Sequence, residues 1–501
     1  MKNVAKEKII LQAVRITDLL GRGLLKKLAV IHQQLQGPVY LTGGTVRDLL
    51  MGRKPVDIDF TVGKDARVWA SKLVQLTGGT YVTLGREEDA ARVVWLGRDI
   101  DFTSFREGAE TIERELTKRD ITINSMAASL QDVLNHDDVP LPDEVKIIDP
   151  VGGIADIEHG CIRVTSAYSF RSDPLRMLRV FRFAATLGFS VESKTLGLLT
   201  CQKEWISRSA SERVANELDL IMGSNRPHAV FQDLAATELL FEIIPELQQG
   251  VGMEQPSSHH LDVFDHCLAT LRNMELVQEN SAHFFPENSE VMEKYIKAGR
   301  HPVQLKWAAL FHDLGKPATI AIDEDKGGRI TFYSHDQAGL ELVGNIAGRL
   351  HWRGKDTKDV GALVGYHMWP FHLINVQRKG ELSLKACLRI IRTVGPALPG
   401  LFLLSMADAL AGQGINRPEE IEKEVAGLFD RLEQVRKENV EPVRSQPPLL
   451  TGKDLIDKLQ LEPGPIFKEI LSLVEEEHME NSISSREEAL DLVRKYLGKN
   501  S

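Results

Sequence analysis

Apolar and polar positions follow two different rhythms along the chain, and the change from one to the other divides it. Between residues 38 and 62 a short apolar run, PVYLTGG, ends at Gly43-Gly44. TVRDLLMG then has apolar positions at helical spacing and closes on Gly52, while VDIDFTV alternates as a half-buried strand does. The segment therefore predicts strand, turn, helix, turn, strand. Further alternating runs at TYVTL, ARVVWL and DIDFTSF predict more strands, so residues 1–155 read as a small mixed sheet with helices.

After DPVGG (149–153) the period lengthens. DPLRMLRVFRFAATLGF, SERVANELDLIMG and HAVFQDLAATELLFEII carry apolar residues at helical spacing, with few strand signals between them. A histidine-rich stretch runs from Gln255 to Gly412, interrupted by the loop-like ENSAHFFPENSE (279–290). ENVEPVRSQPPLL (438–450), with its three prolines, reads as a linker, and LTGKDLIDKL and FKEILSLVEEE as a final helical tail. The expected fold class is α+β, a mixed sheet at the front and helices behind it.

A length of 501 residues implies several domains. Composition changes the picture little: 43% hydrophobic and 26% charged residues are ordinary for a globular protein, and 6% aromatic favours helix over strand. No apolar run reaches the length of about 18 residues that spans a membrane. The first 28 residues lack the apolar stretch and small-residue cleavage site of a secretion signal, so a cytoplasmic protein is expected. Cys161, Cys201, Cys267 and Cys387 are too scattered for a zinc ribbon or a disulfide framework, which leaves free buried thiols as the expectation. The net charge of −10 counts mildly against nucleic-acid binding, yet a local basic groove on an acidic protein still binds RNA.

Asp57 and Asp59 stand at i and i+2 of a predicted strand, so both carboxylates reach one spot. Two carboxylates held close repel unless a cation neutralises them, and magnesium suits oxygen ligands and bridges to phosphates. A DxD alone is usually a solvated strand end. Here Gly43-Gly44 lies one helix upstream, where glycines let backbone amides approach a triphosphate, and Asp101 in a later strand offers a third carboxylate. Amides for phosphate and carboxylates for metal account for both ends of a nucleotide.

TGGTVRDLLMGRKPVDIDF resembles the GGxVRD…DxD signature of the DNA polymerase β-like nucleotidyltransferases, and more narrowly the class II tRNA nucleotidyltransferase and bacterial poly(A) polymerase family. KRDITINSMA (118–127) is similar to that family's RRDFTxNAxA element, with Lys118 and Ile121 departing from it. DPVGG, SDPLRMLRVFRF (172–183) and SERVANEL (211–218) resemble its DPxGG turn, its EDxxR and RxxRF helix and its ERxxxEL element, with Ser172 where Glu is frequent. The resemblance implies a nucleotidyltransferase head (1–155), a helical neck with a nucleotide-selecting helix (156–250), an HD-type helical domain (251–430) and a helical tail (431–501). It implies catalysis at Asp57, Asp59 and Asp101 with Mg2+ on the first two, and a triphosphate pocket shaped by Gly43, Gly44, Arg47 and Asp48. Arg119, Asp120 and Asn124 would contact sugar and phosphate, and Arg179 and Arg182 belong to the same nucleotide-binding set. Asp173 and Arg176 would pair with the base of CTP or ATP. Spaced i, i+3, they are expected on one helix face, where a carboxylate and a guanidinium mimic a Watson–Crick edge.

His266, His312-Asp313, His335-Asp336, His367 and Asp408 form a second constellation, and imidazole with carboxylate suits a transition metal or a mixed Mg/Mn site. The order resembles the HD phosphohydrolase superfamily, and HDLGKP its central element, which implies a metal held by His266, His312, Asp313, His335, His367 and Asp408. An HD fold kept only as an RNA-binding body is the bland alternative.

The family resemblance implies addition of CTP- and ATP-derived nucleotides to the 3′ end of tRNA, with no membrane and no evident obligate protein partner. The short connection REGAETIERELT resembles partial CC or A adders or polyadenylating relatives, whereas LGREEDAARVV lacks the basic element of poly(A) polymerases, so CCA addition stands first and partial addition close behind. Two readings from other classes are an HD phosphohydrolase with an inactive transferase domain and a non-catalytic reader of the tRNA acceptor arm.

Overall fold

The computed structural model describes residues 10–85, 89–106, 108–134, 144–324 and 328–499. Residues 1–9 of the stretch read for a secretion signal lie outside them, as do residues 86–88 of LGREEDAARVV and Glu107 of REGAETIERELT. The chain divides into two compact units, residues 1–224 with 233–243, and residues 225–232 with 244–501.

The first unit is built on an eight-stranded sheet: β1 (Ile10–Gln12), β2 (Val39–Thr42), β3 (Ile58–Val62), β4 (Thr80–Thr83), β5 (Ala90–Trp95), β6 (Arg98–Ser104), β7 (Ala127–Ser129) and β8 (Glu144–Ile148). Their spatial order is β1-β8-β7-β2-β3-β6-β5-β4. Only β3 and β6 pair in parallel, with Asp59 beside Asp101 and Phe60 beside Phe102; the other pairs are antiparallel, giving the mixed sheet expected. Because side chains alternate between faces, Ile58, Phe60, Ile100 and Phe102 enter the core while the aspartates between them point the other way. The core face is closed by helices α1 (Ala13–Leu35) and α2 (Ala66–Thr77). Trp69 of α2 stacks on Phe102 at 6.4 Å, and Phe102 on Phe60 at 5.1 Å. Burying an aromatic side chain of this kind contributes about 2–3 kcal/mol.

Helices α3 (Ser169–Ser172), α4 (Arg176–Leu187) and α5 (Ser211–Met222) follow the sheet, and a short strand pair, Cys161–Ile162 with Ser190–Val191, precedes and follows α4. The second unit is helical apart from a hairpin of Ala321–Asp323 and Arg329–Thr331. Its core helix, α6 (Leu398–Ala411), is buried on nearly every side. One helical stretch among the described residues, Leu384–Ala411, has the length and apolarity of a membrane span, but 67% of that window is buried inside the unit. Gly395 also breaks it into two helices, so it is the unit's core.

Three expectations need correction. Residues 279–290 are helical rather than a loop, holding the end of Val263–Glu279, then Ser281–Phe284 and the start of Ser289–Ile296. Buried Ser281 and Asn288 tie down a polar composition that reads as loop. The supposed linker at 438–450 is a π-helical turn, Arg436–Val440, running into the helix Glu441–Ser445; Pro442 sits at its first turn, where a missing amide costs nothing. The four cysteines are free as expected, but Cys201 is exposed and Cys161 half-buried.

Candidate functional site

The transfer constellation assembles around helix α7 (Gly43–Leu50), which begins directly at the end of β2, so Gly43 and Gly44 are its first residues rather than a preceding turn. Gly43 has φ 63°, and a Cβ there would lie 3.1 Å from Arg119 Nη1 and 3.2 Å from Asp59 Oδ2. Thr45 fastens this helix to β3: its hydroxyl accepts from the Asp59 amide at 2.8 Å and donates to the Asp57 carbonyl at 3.3 Å. Asp57 itself immediately precedes the strand. Both carboxyls are raised by burial and by neighbouring carboxylates, against the opposing pull of Arg92 on Asp57 and of Arg119 on Asp59. Carboxylates clustered and desolvated in this way resist ionisation, and a divalent cation suits them.

Arg92, on β5, is the residue sequence reasoning missed here. Its guanidinium grips Asp101 with two bonds of 2.7 and 2.9 Å, reaches Asp99 at 2.5 Å and comes within 3.8 Å of Asp57. The alternation of ARVVW beside DIDF carried the signal, since register partners Arg92 and Asp101 share a face.

The remaining predicted residues form one continuous polar network. Arg47 pairs with Asp48 at 2.8 Å and donates to Asn124 Oδ1 at 2.7 Å. Buried Arg119 donates to Thr61 at 2.8 Å and Thr42 at 3.3 Å. Arg179 grips Asp120 with bonds of 2.8 and 2.6 Å. Burial works to raise the Asp120 carboxyl, but the Arg179 guanidinium outweighs it and holds the group down at about 2. Arg182 pairs with Glu217 at 3.0 Å and lies over the Phe183 ring at 4.3 Å. Asp173 and Arg176 are not an intrahelical pair, contrary to expectation. Asp173 is extended (φ −146°) in the break between α3 and α4, and its carboxylate pairs with Arg213 at 3.0 Å. Arg176 opens α4 and donates to Ser169 Oγ at 3.1 Å. Pro174 produces the break, since a residue before proline avoids helical geometry.

The second constellation lies wholly in the second unit, and its six predicted members converge. Three imidazoles are oriented alike: the Nδ1 atoms of His312, His335 and His367 lie 2.9, 2.7 and 2.7 Å from the carbonyls of Ala309, Phe332 and Val364. Each ring therefore carries a hydrogen on Nδ1 and turns its Nε2 inward. Nε2 atoms of His335 and His367 stand 3.1 Å apart, and those of His266 and His312 3.2 Å apart. Two lone pairs facing at that distance repel unless a cation, a proton or a metal ion, stands between them. The Asp313 carboxylate lies between the two pairs, Oδ1 3.2 Å from His335 and Oδ2 3.2 Å from His312, while Asp408 is 3.0 Å from His266. Burial disfavours charge on His312, yet Asp313 and Asp408 raise it to about 10, a positive charge that a bound cation would replace. Ligand atoms fall into groups close enough for an ion: His266, His312 and Asp313; Asp313, His335 and His367; and His259, His266 and Asp408. Asp336 is in none of them. His259 and Lys316 were missed; Lys316 lies 2.6 Å from Asp313, three residues on in the same HDLGKP segment, and His259 stands seven residues before His266. A cavity of about 610 Å³ opens beside the cluster, lined by His259, Lys316, Phe332 and Arg417 among others.

Comparison with known proteins matches residues 39–163 to the poly A polymerase head domain, 188–250 to the probable RNA and SrmB-binding site of polymerase A, and 263–411 to the HD domain. An A-adding tRNA nucleotidyltransferase of Deinococcus radiodurans is 31% identical over 461 residues, covering 91% of this chain and 95% of that one. A CC-adding tRNA nucleotidyltransferase of Thermus thermophilus is 29% identical, with coverages of 89% and 91%. Among solved structures, the Thermotoga maritima CCA-adding enzyme complexed with tRNA has the same fold, with a TM-score of 0.61 at 21% identity over 98% of this chain and 99% of that one.

Proposed function

The chain belongs to the tRNA nucleotidyltransferase and poly(A) polymerase family, and from that premise we propose that it adds nucleotides from CTP and ATP to the 3′ end of tRNA, building or repairing the CCA terminus. The observation that carries the reading is the packing of Gly43 and Gly44 against Asp59 and Arg119, which brings a helix N-terminus, two guanidinium groups and a carboxylate cluster to one place. Amides at the start of α7, with Arg47 and Arg119, hold the triphosphate. The terminal 3′-hydroxyl loses its proton to solvent and its oxygen bonds to the α-phosphorus as the bridge to the β-phosphate breaks and pyrophosphate leaves. Magnesium held by Asp57 and Asp59, with Asp101 beside them, would favour the alkoxide and neutralise the departing charge. Thr45 keeps both aspartates in place. Arg213 and the Leu175 amide fix the Asp173 carboxylate, Ser169 fixes the Arg176 guanidinium, and these two groups select the base.

Partial addition is the second reading. The connection from β6 to Arg119 is short and occupied by one helix, Ile112–Thr117, and two relatives are partial adders. Extension of a tRNA transcript ending at the discriminator base, with labelled CTP, ATP or both, separates the outcomes. Addition of C, C and A that disappears in Asp57→Ala supports the first reading. A stop after CC, or A added only to a CC end, supports the second; a long A ladder assigns polyadenylation, and no extension overturns the transferase reading.

The histidine cluster supports phosphoester hydrolysis with a divalent transition metal as a separate activity, because its inward Nε2 atoms and buried carboxylates suit activation of a water. Release of p-nitrophenol from p-nitrophenyl phosphate, dependent on added Mn2+, Co2+ or Ni2+, tests it. A cytoplasmic location goes with the tRNA reading.

A further inference from the structure

Around the transfer constellation Arg213, Arg179 and Arg163 are each paired with a carboxylate. Arg171 and Arg208 are placed differently. Both are exposed, and among the described residues neither has a carboxylate partner. Both instead lie over one half-buried indole, Trp205, at 5.9 and 5.4 Å from its centroid. A guanidinium over an aromatic face keeps its in-plane N–H donors free, so the pair forms a preorganised, unneutralised cationic seat. Tyr168, 72% exposed, adds an aromatic face one turn before Arg171.

The seat is tied to the reaction site by one short helix. Arg171 is in α3, whose Ser169 hydroxyl donates to the Asp120 carbonyl at 3.3 Å and accepts from Arg176 at 3.1 Å, and Asp173 ends the same helix. Trp205 and Arg208 belong to the turn Lys203–Arg208, inside the stretch that matches the probable RNA-binding family. The ligand that needs phosphate contacts and aromatic stacking beside the nucleotide-selecting residues is the strand being extended.

We propose that Arg171, Trp205 and Arg208, with Tyr168, seat the single-stranded 3′ end of the RNA acceptor, the two arginines holding backbone phosphates upstream of the terminal hydroxyl and Trp205 bracing both. This rests on the transferase reading and adds the residues that hold its second substrate.

The test is binding of a fluorescein-labelled acceptor-stem RNA with a single-stranded 3′ overhang, by anisotropy without nucleoside triphosphate and over a range of salt. The double variant Arg171→Gln/Arg208→Gln is expected to bind roughly tenfold more weakly and to lower the slope of log Kd against log salt by about 2, one for each phosphate contact. Its KM for CTP and ATP stays within about twofold of the parent chain's, while its KM for RNA rises. Trp205→Phe retains binding; Trp205→Ala loses it, and if that variant fails to fold the arginine variants carry the test alone. A blunt-ended stem is expected to bind parent and double variant equally. RNA affinity and salt slope unchanged in the double variant overturn the proposal, as does a change in KM confined to the triphosphate. Where the parent chain extends RNA and the variants bind it normally, only the seat fails; a parent chain that extends no RNA removes the transferase reading itself.

Discussion

Gly43 combines a φ of 63° with the close approach of Arg119 and Asp59, and both demands come from the same residue-scale event, a helix starting without any intervening turn. A methyl group at that position strains the backbone by about 1 kcal/mol and pushes against a guanidinium and a carboxylate that have few alternatives. Gly43→Ala is therefore expected to lower kcat for nucleotide addition at least about tenfold while reducing stability by about 1–2 kcal/mol, read by single-turnover extension and urea unfolding. Asp120 makes the opposite kind of case, a charge stabilised by its surroundings. Its folded value of about 2 lies below the ordinary carboxylate range, so its contribution is present above about pH 4 and is lost as pH falls toward 2. The difference corresponds to about 2 kcal/mol. Asp120→Asn leaves the half-buried Arg179 beside a neutral amide, so the variant is less stable than the parent at pH 6. The gap in urea midpoint narrows between pH 4 and pH 2; a gap constant with pH would show that the Arg179 pairing is not its source.

At the scale of elements, the strand-to-helix passage at residues 39–62 was legible because its alternation, its helical spacing and its glycines all agree. The convergence of Asp59 with Asp101 was legible only as a guess. It depends on β3 and β6 being parallel neighbours, which no local pattern encodes. Arg92 was legible in principle, since it meets Asp101 across the adjacent antiparallel pair β5–β6, whose alternation puts both on one face. The Asp173–Arg176 geometry was misread because a one-turn spacing was taken for a helix although Pro174 stands between the two. Residues 438–450 were misread because proline count outweighed Asn439 and Val440, whose burial is a tertiary fact. Gly315 shows what an element contact demands beyond propensity. A Cβ on it would lie 2.1 Å from the His335 carbonyl and 2.6 Å from the Gly339 amide, so the helix His335–Arg349 packs directly on the HDLGKP backbone. Gly315→Ala must displace that helix and carry His335 away from Asp313. Expected are a loss of bound divalent metal by elemental analysis and a lower melting temperature. An unchanged metal content would mean that the helix contact does not set the cluster's geometry.

For the whole molecule, each constellation is complete within one compact unit: Gly43 to Glu217 in the first, His259 to Asp408 in the second. No side chain of the carboxylate cluster on β3 and β6 is shared with the histidine cluster. Two chemistries that share no residue should be separable by substitution even on one chain, since changes with no common partner act independently. His312→Ala with Asp313→Ala removes the carboxylate between the histidine pairs and one of its imidazoles, so hydrolysis of p-nitrophenyl phosphate should fall below detection. Extension of the tRNA transcript should stay within about threefold, a change of less than about 1 kcal/mol in the barrier. Asp59→Ala should do the reverse, abolishing extension and leaving hydrolysis unchanged. The two assays on the two variants form a crossed set, with circular dichroism melting to show that each protein is folded. If the histidine-cluster variant loses extension while its melting profile is retained, the second unit is part of the transfer reaction, and the independence of the two sites is refuted.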